Sequence, residues 1–463
     1  MYRKKAHVHF MGIGGIGMSG IATILRAQGF TVSGCDQDIK QKSIIDLKKL
    51  ECSITDTHND VRVCQDASID VLVYSSAISA TNPEIILAQE RGIPVIPRAL
   101  MLAELMRTKF SIAVAGSHGK TTTTSMISHI LIEGQLDPTV IVGGHLINSS
   151  TNAQLGSGDF LVAEADESDR SFLQLHSTLG VITNIDLEHL ETYKDLEDIK
   201  QTFIQFLNNL PFYGKAIVCI DDPVVQSILP LPHIKTIGYG LSDEAEIYAT
   251  NVTLEGAYST FDLHKRGVEG SLGSIKLHMP GHHNVLNALA AITIALDLDI
   301  PVPTIASALD SFKGIQRRFS YCGSFKGAEF FDDYGHHPRE IESTLLVARK
   351  RSKGKLHVFF QPHRFSRTQH LWEDFIRVFT ESNIDSLVIT DIYPASEQPI
   401  EGISSQNLVK ALLKANPSLK VTYIPYEEDF SSLSSKTNQT VNQDDLLLLL
   451  GAGKINDLFD NLK

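Results

Sequence analysis

The sequence has few cysteines and no long apolar run. Its five cysteines are widely spaced and form no Cys-x-x-Cys pair; they are Cys35, Cys52, Cys64, Cys219 and Cys322. An odd, scattered set predicts neither a disulfide framework nor a zinc ribbon, and it fits a reducing compartment. No stretch approaches the roughly 18 apolar residues that cross a bilayer, and glycines interrupt the basic start of the chain too early for a signal peptide. We therefore expect a cytoplasmic protein without a membrane span.

The chain also lacks an excess of positive charge. Lys and Arg number 41 against 54 Asp and Glu, so the formal net charge is −13. This balance argues against a nucleic-acid-binding protein, and any phosphate site must be local. The 463 residues, 43% hydrophobic and 21% charged, have an ordinary globular composition. Because single cores stop growing near roughly 250 to 300 residues, this length predicts about three domains.

Three segments each run from an apolar strand through a turn into a helical pattern. They read AHVHFMGIGGIGMSGIATILRAQGF, KFSIAVAGSHGKTTTTSMISHILIEG and AEFFDDYGHHPREIESTLLVARK. This order predicts an α/β fold of three domains, each with a mostly parallel sheet flanked by helices. The first and third domains are expected to be Rossmann-like, and the second to contain a P-loop. We place the domains at residues 1–107, 108–313 and 314–463.

The first turn has a GxGxxG arrangement made by Gly12, Gly14, Gly15 and Gly17. Glycines here let backbone N–H groups approach a pyrophosphate at a helix N-terminus. Asp36 follows about 20 residues later, where an acidic side chain accepts hydrogen bonds from a ribose or base. The pattern predicts a diphosphate ligand, with NAD as one candidate. Close packing of the helix on the strand is the structural alternative.

The second turn, AGSHGKTTTT, contains Gly116, Gly119, Lys120 and Thr121. In such loops the amides bind phosphates, the lysine reaches the terminal phosphates and the hydroxyl binds magnesium. The loop departs from the common pattern because position 114 is Val rather than Gly. We expect a nucleotide triphosphate site.

The next two predicted strands both end in carboxylates. These side chains are Glu164, Asp166, Glu167 and Asp169 after the first strand, and Asp186, Glu188 and His189 after the second. Carboxylate oxygens are the ligands that magnesium prefers. Their position beside the phosphate loop predicts a metal site, whereas either segment alone is equally consistent with a solvated acidic loop.

Three further groups of polar residues are candidates for ligand binding. Asn284 and Asn287 lie one helical turn apart after His282 and His283, and they can read an adenine edge, although Asn284 can equally cap the helix. Basic clusters can hold a carboxylate or phosphate, with a solvated surface as the alternative; they are Arg317 with Arg318, and His363 with Arg364 and Arg367. The third group follows a strand and lacks the spacing of a zinc site; it comprises Asp332, Asp333, His336 and His337.

Taken in order, these motifs resemble those of the cytoplasmic Mur ligases. The matching segments are MGIGGIGMSGIA, AGSHGKTTTT, EADESD, HHNVLNALAA, IQRRF, DYGHHP and FQPHRFSRT, nearly from end to end. The resemblance implies three domains, which bind a UDP substrate, ATP and an amino acid. It also implies ATP-dependent joining of L-alanine to the lactyl carboxylate of UDP-N-acetylmuramate through an acyl phosphate. The glycine-rich turn is then a UDP-diphosphate site rather than an NAD site.

The resemblance also assigns roles to individual residues, with ATP and Mg²⁺ as cofactors. The implied nucleotide-binding residues are Gly116, Ser117, His118, Gly119, Lys120, Thr121, Thr122, Asn284 and Asn287. The implied metal ligands are Thr121, Glu164 and His189. The implied substrate-binding residues are Gly12, Gly14, Gly15, Gly17, Ser19, Asp36, Arg318, Asp333 and His363. The implied catalytic residues are Lys120, His337, Arg364 and Arg367.

The chain departs from the family pattern at two places. Several Mur ligases carry a carbamylated lysine beyond the magnesium histidine, but the corresponding stretch here, QTFIQF, has no lysine, as in the L-alanine branch. Lys454 stands where the family more often has an acidic residue. Three alternatives stay open: a recycling ligase that adds a tripeptide, an NAD-dependent oxidoreductase and a nucleotide-binding module without catalysis. The segment FQPHRFSRT favours the L-alanine enzyme over the recycling enzyme, which typically has EPRSNT there.

Overall fold

A computed structural model describes residues 6–56, 66, 68–75, 77–79, 81–142, 152–255, 257–395 and 397–462. The chain divides into two compact units. The first comprises Met1–Val252, Thr260–Leu277 and Asn284–Lys313, and the second comprises Thr253–Ser259, His278–His283 and Gly314–Lys463. None of the four described cysteines forms a disulfide, and Cys64 lies outside the described residues.

The first sheet is parallel, with the strand order β3-β2-β1-β4-β5. Its strands are β1 (His7–Met11), β2 (Thr31–Cys35), β3 (Ser53–Thr55), β4 (Val71–Tyr74) and β5 (Val95–Pro97). Its helices are α1 (Ile16–Ala27), α2 (Lys42–Lys49), α3 (Pro83–Glu90) and α4 (Arg98–Met106). Helix α1 buries Ile21, Ile24 and Leu25 at the predicted helical spacing. The central strand β1 delivers the glycine-rich turn at its carboxyl end, where α/β sheets bind ligands.

The second sheet has the order β15-β14-β13-β12-β11-β10-β6-β9-β7-β8. Its strands are β6 (Phe110–Ala115), β7 (Thr139–Ile141), β8 (Ala153–Gln154), β9 (Phe160–Glu164), β10 (Leu179–Ile182), β11 (Lys215–Cys219), β12 (Lys235–Gly240), β13 (Ile247–Glu255), β14 (Tyr258–Lys265) and β15 (Gly273–Leu277). Its helices are α5 (Lys120–Glu133), α6 (Leu196–Asn208), α7 (Pro223–Ser227), α8 (His282–Asp297) and α9 (Val302–Ser311). Strand β6 is parallel to both neighbours, β9 and β10. The phosphate loop and both acidic segments therefore follow adjacent carboxyl ends.

The third sheet has the order β16-β17-β21-β18-β19-β20 and is parallel except for β16. Its strands are β16 (Ser320–Phe325), β17 (Ala328–Asp333), β18 (Leu356–Phe360), β19 (Ser386–Ile389), β20 (Val421–Tyr423) and β21 (Leu446–Leu450). Its helices are α10 (Pro338–Arg351), α11 (Phe365–His370), α12 (Trp372–Glu381), α13 (Ser405–Ala415), α14 (Ser431–Thr440) and α15 (Leu458–Asn461). All five leucines of β21 are buried, as expected for a strand covered on both faces.

The α/β prediction is confirmed, since each sheet is mostly parallel and flanked by helices. Pro338 begins α10, where the missing N–H of a proline is tolerated. Strands β13 to β15, which extend one side of the second sheet, were not predicted from the sequence. Within the described residues, no helix combines the length and apolar character needed to cross a membrane.

Candidate active site

The phosphate loop ends where α5 begins, at Lys120. Gly119 precedes the helix with φ +82°, and a Cβ at this position would overlap the side-chain oxygen of Asn287. That oxygen accepts a hydrogen bond from Thr123 Oγ1 at 3.2 Å. Asn284 lies in the first turn of α8 rather than before it, since the helix begins at His282. Asn287 thus packs against the phosphate loop, and contact of either asparagine with adenine stays a prediction.

Residues after β10 hold the phosphate loop in shape. The N–H of His118 donates to Asn184 Oδ1 at 2.8 Å, and Thr183 Oγ1 donates to the His118 carbonyl at 2.6 Å. The N–H of Asp186 donates to Ser117 Oγ at 2.8 Å, and His118 Nε2 lies 3.2 Å from Asp186 Oδ2. The side chains of Ser117, His118 and Asp186 therefore make contacts within the protein.

The Lys120 side chain turns back onto its own loop. Its Nζ donates to the carbonyl of Gly116 at 2.6 Å and to Glu167 Oε1 at 2.8 Å. Burial lowers the pKa of the Lys120 amine, but Glu167, Asp166 and Glu188 outweigh burial and hold this pKa well above its ordinary value. Lys120 is therefore a partly buried cation beside the phosphate loop, and the neighbouring carboxylates favour its charged form.

Glu167, Glu188 and His189 form a compact group of oxygen and nitrogen donors. One donor atom of each lies within 4.8 Å of the others. The Glu167 side chain is 3% exposed, and among the described residues its Oε2 has no hydrogen-bond partner. Two carboxylates and an imidazole fit a divalent cation, and an unsatisfied buried carboxylate oxygen fits it further. We call this group the Glu167–Glu188–His189 cluster.

His189 has an uncommon backbone conformation, with φ +55°. Its Nε2 lies 3.6 Å from Glu167 Oε1 and 3.9 Å from Glu188 Oε2, and its Nδ1 lies 3.6 Å from Glu191 Oε1. Burial lowers the pKa of His189, but these carboxylates outweigh burial and raise it to about 9. The surroundings of His189 therefore favour a positive charge.

Hydrogen bonds join the loops that carry this cluster. Tyr193 OH donates to the Glu167 carbonyl at 2.5 Å, and Thr192 Oγ1 donates to the Ser168 carbonyl at 2.6 Å. Arg170 donates to the Thr192 carbonyl at 3.3 Å, and its guanidinium lies 4.7 Å from the centre of the Tyr193 ring. These contacts fix the backbone of Glu167 relative to that of His189.

The three predicted metal ligands occupy different places around this cluster. Thr121 lies in the first turn of α5, and Glu164 is the last residue of β9. Of the two predicted ligands with a carboxylate or imidazole, His189 belongs to the group of donors within 4.8 Å and Glu164 does not. The roles of Thr121 and Glu164 stay predictions. Glu167 and Glu188 belong to the acidic segments that indicated the site, but spacing alone could not select them.

The side chains of Asp36 and Ser19 shape the glycine-rich turn. Asp36 is buried, and its Oδ2 accepts from the N–H of Gly14 at 2.8 Å while its Oδ1 accepts from the N–H of Asp38 at 3.0 Å. Ser19 is buried, and its Oγ donates to the Gly15 carbonyl at 3.0 Å. Direct contact of Asp36 or Ser19 with a substrate stays a prediction.

Arg98 lies at the same turn and was missed from the sequence. It is the first residue of α4, and a Cβ at Gly17 would come within 2.8 Å of its Nη1. Arg98 is near enough to Asp166 to help lower the pKa of that carboxyl, although no ion pair joins the two among the described residues, and the first turn of α1 contains no acidic residue. A guanidinium and a helix N-terminus thus lie together, and both favour an anion. Residues 17 and 98 are far apart in the sequence and belong to no common motif, so the sequence did not predict that they lie together.

In the third sheet, β17 ends in two buried carboxylates. Asp333 Oδ2 accepts from the N–H of Phe319 at 2.8 Å, and its Oδ1 accepts from the N–H of Gly335 at 2.8 Å. Asp332 Oδ2 lies 3.3 Å from Arg317 Nε. Burial raises the pKa of Asp332 to about 7, although Arg317 opposes this shift. Asp333 therefore holds the turn, and a role for it in binding substrate stays a prediction.

At the start of α10, the backbone N–H of His337 and the guanidinium of Arg318 both contact the carboxylate of Glu340. His337 is the N-cap residue, and its Nδ1 accepts from the N–H of Arg339 at 3.4 Å. Arg318 Nη1 lies 3.5 Å from Glu340 Oε1. The buried His337 thus has a helix-capping contact that the sequence did not predict, and its catalytic role stays a prediction.

The segment after β18 brings His363 and Arg367 together. His363 Nδ1 accepts from Arg367 Nη1 at 3.1 Å, and the His363 ring stacks on Tyr393 with centroids 5.5 Å apart. Burial, with His336 and Arg367 nearby, lowers the pKa of His363 to about 3. Arg364 begins this turn with φ +69°, and its Nη1 lies 3.9 Å from Glu397 Oε1. The ring of His363 is therefore neutral and acts as an acceptor for Arg367.

Gln361 binds the loop after β21. Its Oε1 accepts from the N–H of Lys454 at 2.8 Å and from the N–H of Ile455 at 3.2 Å. Lys454 itself is exposed. The loop is thus fixed through the backbone at position 454, not through that side chain.

Family models match nearly the whole chain. Residues 7–110 match the Mur ligase family catalytic domain, residues 114–295 the Mur ligase middle domain, and residues 317–453 the Mur ligase glutamate ligase domain. These are the segments in which the turns and strand-end clusters above lie.

Individual proteins are similar over nearly the same length. A UDP-N-acetylmuramate–L-alanine ligase of Geotalea uraniireducens strain Rf4 is 48% identical over 456 residues, which cover 98% of this chain and 97% of the relative. The crystal structure of a UDP-N-acetylmuramate-alanine ligase of Thermotoga maritima has a TM-score of 0.80 at 26% identity, covering 98% of each chain. A murein peptide ligase of Psychrobacter arcticus has a TM-score of 0.71 at 23% identity, covering 99% of this chain and 98% of its own, and shows the shared fold.

Proposed function

Because the chain belongs to the Mur ligase family, we propose that it joins L-alanine to the lactyl carboxylate of UDP-N-acetylmuramate at the expense of ATP. This reaction supplies a precursor of peptidoglycan. The observation that carries the proposal is the end-to-end identity of 48% to a UDP-N-acetylmuramate–L-alanine ligase. The proposed domains are residues 1–107 for the UDP substrate, 108–313 for ATP and 314–463 for the amino acid. We expect the enzyme to act in the cytoplasm.

The proposed reaction has two steps. A lactyl carboxylate oxygen attacks the γ-phosphorus of ATP, so that an acyl phosphate forms and ADP leaves. The amino group of L-alanine then attacks the acyl carbon, inorganic phosphate leaves and the amine loses a proton. The first step brings a carboxylate against a polyanion, so the enzyme must offset negative charge there.

Lys120 is the residue best suited to offset that charge. It lies at the N-terminus of α5, whose first turn has no acidic residue, and it stays charged because Glu167, Asp166 and Glu188 surround it. A bound Mg²⁺ would supply further charge neutralisation at the phosphates. The Glu167–Glu188–His189 cluster, Glu164 and Thr121 are the residues that would hold it.

The glycine-rich turn supports binding of the UDP diphosphate. Arg98 and the N-terminus of α1 offer a cation and free N–H groups side by side. In the third sheet, Arg364 and Arg367 follow β18 and are proposed to hold the carboxylate of the amino acid or the acyl phosphate. Arg367 is oriented for this by its hydrogen bond to the neutral His363.

The test is release of inorganic phosphate from ATP with Mg²⁺ and UDP-N-acetylmuramate, comparing L-alanine, L-serine, glycine and the tripeptide. We expect release that depends on L-alanine and is weak with the tripeptide. Stronger release with the tripeptide would assign the recycling reaction instead, and no release with any acceptor would overturn the proposal.

Lys120→Ala tests the proposed role of the lysine. Turnover should be abolished while binding of UDP-N-acetylmuramate, measured by calorimetry, is largely kept. Turnover of this variant at the wild-type rate would contradict the role.

A further inference from the structure

We propose that Lys120 and a divalent cation compete for the carboxylate of Glu167, so that the Glu167–Glu188–His189 cluster is a cation site that Lys120 closes when no nucleotide is bound. The inference rests on the proposed function at one point, which is that a nucleotide phosphate draws Lys120 away from Glu167.

The position of Lys120 is the first observation. Its Nζ lies 2.8 Å from Glu167 Oε1, and the same oxygen lies 3.6 Å from His189 Nε2. The ammonium group therefore occupies a place beside the cluster where a metal ion would meet Glu167. A monovalent cation and a divalent cation cannot both bind this oxygen at full strength, because their charges repel each other at such distances.

The unused oxygen of Glu167 is the second observation. Among the residues that the structure describes, Oε2 has no hydrogen-bond partner although the side chain is 3% exposed. A buried carboxylate oxygen without a partner is costly unless a ligand satisfies it. Lys120 satisfies only Oε1, so the carboxylate keeps the capacity to bind a second cationic group.

The rigidity of the surrounding backbone is the third observation. Tyr193 OH fixes the Glu167 carbonyl, and His189 is held at φ +55°. The donors of the cluster are therefore preorganised, and a cation that binds there needs only the Lys120 side chain to move and the ring of His189 to release its proton. That side chain is long, and its other two contacts are carbonyl oxygens of its own loop, at Gly116 and Ser117.

This arrangement couples the two ligands. A phosphate that draws Lys120 away from Glu167 raises the affinity of the cluster for a divalent cation, and a bound cation releases Lys120 for the phosphate. By linkage, each ligand strengthens the other by the same factor. The site is then weak towards free metal and becomes strong when the nucleotide arrives.

The experiment is a Mn²⁺ titration of the full chain without nucleotide, in which electron paramagnetic resonance measures free Mn²⁺. Wild type should bind weakly. Lys120→Met, which removes the charge and keeps the length, should bind on the order of tenfold more tightly. Lys120→Arg keeps the charge and should bind as weakly as wild type. Adding Glu167→Gln to Lys120→Met should return the affinity to the wild-type value or below.

The matched control is Glu191→Gln, which removes a carboxylate near the other nitrogen of His189. In a protein that carries Glu191→Gln, Lys120→Met should tighten Mn²⁺ binding by the same factor as in wild type to within about twofold, a difference of only a few tenths of a kcal/mol. Lys120→Gln serves as a second uncharged variant, should Lys120→Met fail to fold in a thermal melt.

Equal Mn²⁺ affinity of wild type and the uncharged Lys120 variants would overturn the competition. A gain that survives Glu167→Gln would overturn the assignment of the site to Glu167. Neither result depends on amino-acid-dependent phosphate release, so failure of the inference and failure of the proposed function can be told apart.

Discussion

The side-chain oxygen of Asn287 lies against Gly119 and accepts a hydrogen bond from Thr123, which ties α8 to the start of α5. Gly119→Ala should therefore lower the free energy of unfolding by about 1 to 3 kcal/mol, because the new Cβ meets Asn287 and the φ of +82° is strained. We also expect a raised KM for ATP. Urea unfolding and initial-rate kinetics measure these effects.

Gly267→Ala is the matched control for Gly119→Ala. Gly267 has φ +83°, but nothing lies within 4 Å of a Cβ built there. The control should show only the backbone strain and an unchanged KM for ATP. Equal effects of the two variants on stability and KM would contradict the role given to the contact with Asn287.

Arg98→Ala should weaken binding of UDP-N-acetylmuramate, since it removes the cation beside Gly17 and α1. The expected loss is about tenfold, as for one charge-assisted contact of about 1.5 kcal/mol, with the KM for ATP unchanged. Calorimetric titration of the UDP substrate measures it. Arg107→Ala changes a 53% exposed side chain that follows the same helix and pairs with Glu104, and it should bind as wild type does. Identical affinities for the two variants would refute the assignment.

Asp332 should make stability depend on pH. Its pKa of about 7 in the folded protein lies above the ordinary value for an unfolded chain, so the folded state binds the proton more tightly. The free energy of unfolding should therefore fall as pH rises from about 4 to about 7, by up to about 1.4 kcal/mol per pH unit from this group, and then level off. Asp332→Asn should remove this component.

The measurement for Asp332 is urea unfolding of wild type and variant at several pH values between 4.5 and 8. The stability of Asp332→Asn relative to wild type should increase steadily up to about pH 7. The control, Asp374→Asn, alters a carboxylate that is 53% exposed, and its free energy of unfolding should change with pH as that of wild type does. A pH-independent difference for Asp332→Asn would show that this carboxyl titrates normally.

Arg367→Lys should raise the KM for L-alanine by about tenfold with little change in the KM for ATP. Lysine keeps the charge but cannot both reach His363 and present a planar pair of donors to a carboxylate. Arg377→Lys, at a 42% exposed position on α12, is the control and should leave both constants unchanged. An unaltered KM for L-alanine in Arg367→Lys would place the amino acid elsewhere.

The sequence predicts the fold well because hydrophobic runs and glycine turns are local signals. The order of apolar strand, turn and helix indicated β1 with α1 and β6 with α5, and both are present. Strands β13 to β15 were missed because nothing in residues 247–277 follows that pattern.

The sequence indicated which segments form the candidate site but not which side chains in them contact each other. Its acidic segments were found because polar residues at the ends of neighbouring parallel strands must lie close together. The pairing of Lys120 with Glu167, and of Arg98 with Gly17, depends on side-chain directions and on contacts between distant segments. Asp36 was expected to face a ribose, yet its carboxylate oxygens accept backbone N–H groups, a competition that spacing cannot reveal.

The hydrogen bond from the backbone N–H of Lys454 to Gln361 determines which amino acids are tolerated at position 454. Because Gln361 binds N–H groups, every amino acid except proline can satisfy the contact at position 454. The side chain of Lys454 is thus not needed for the hydrogen bonds that fix this loop.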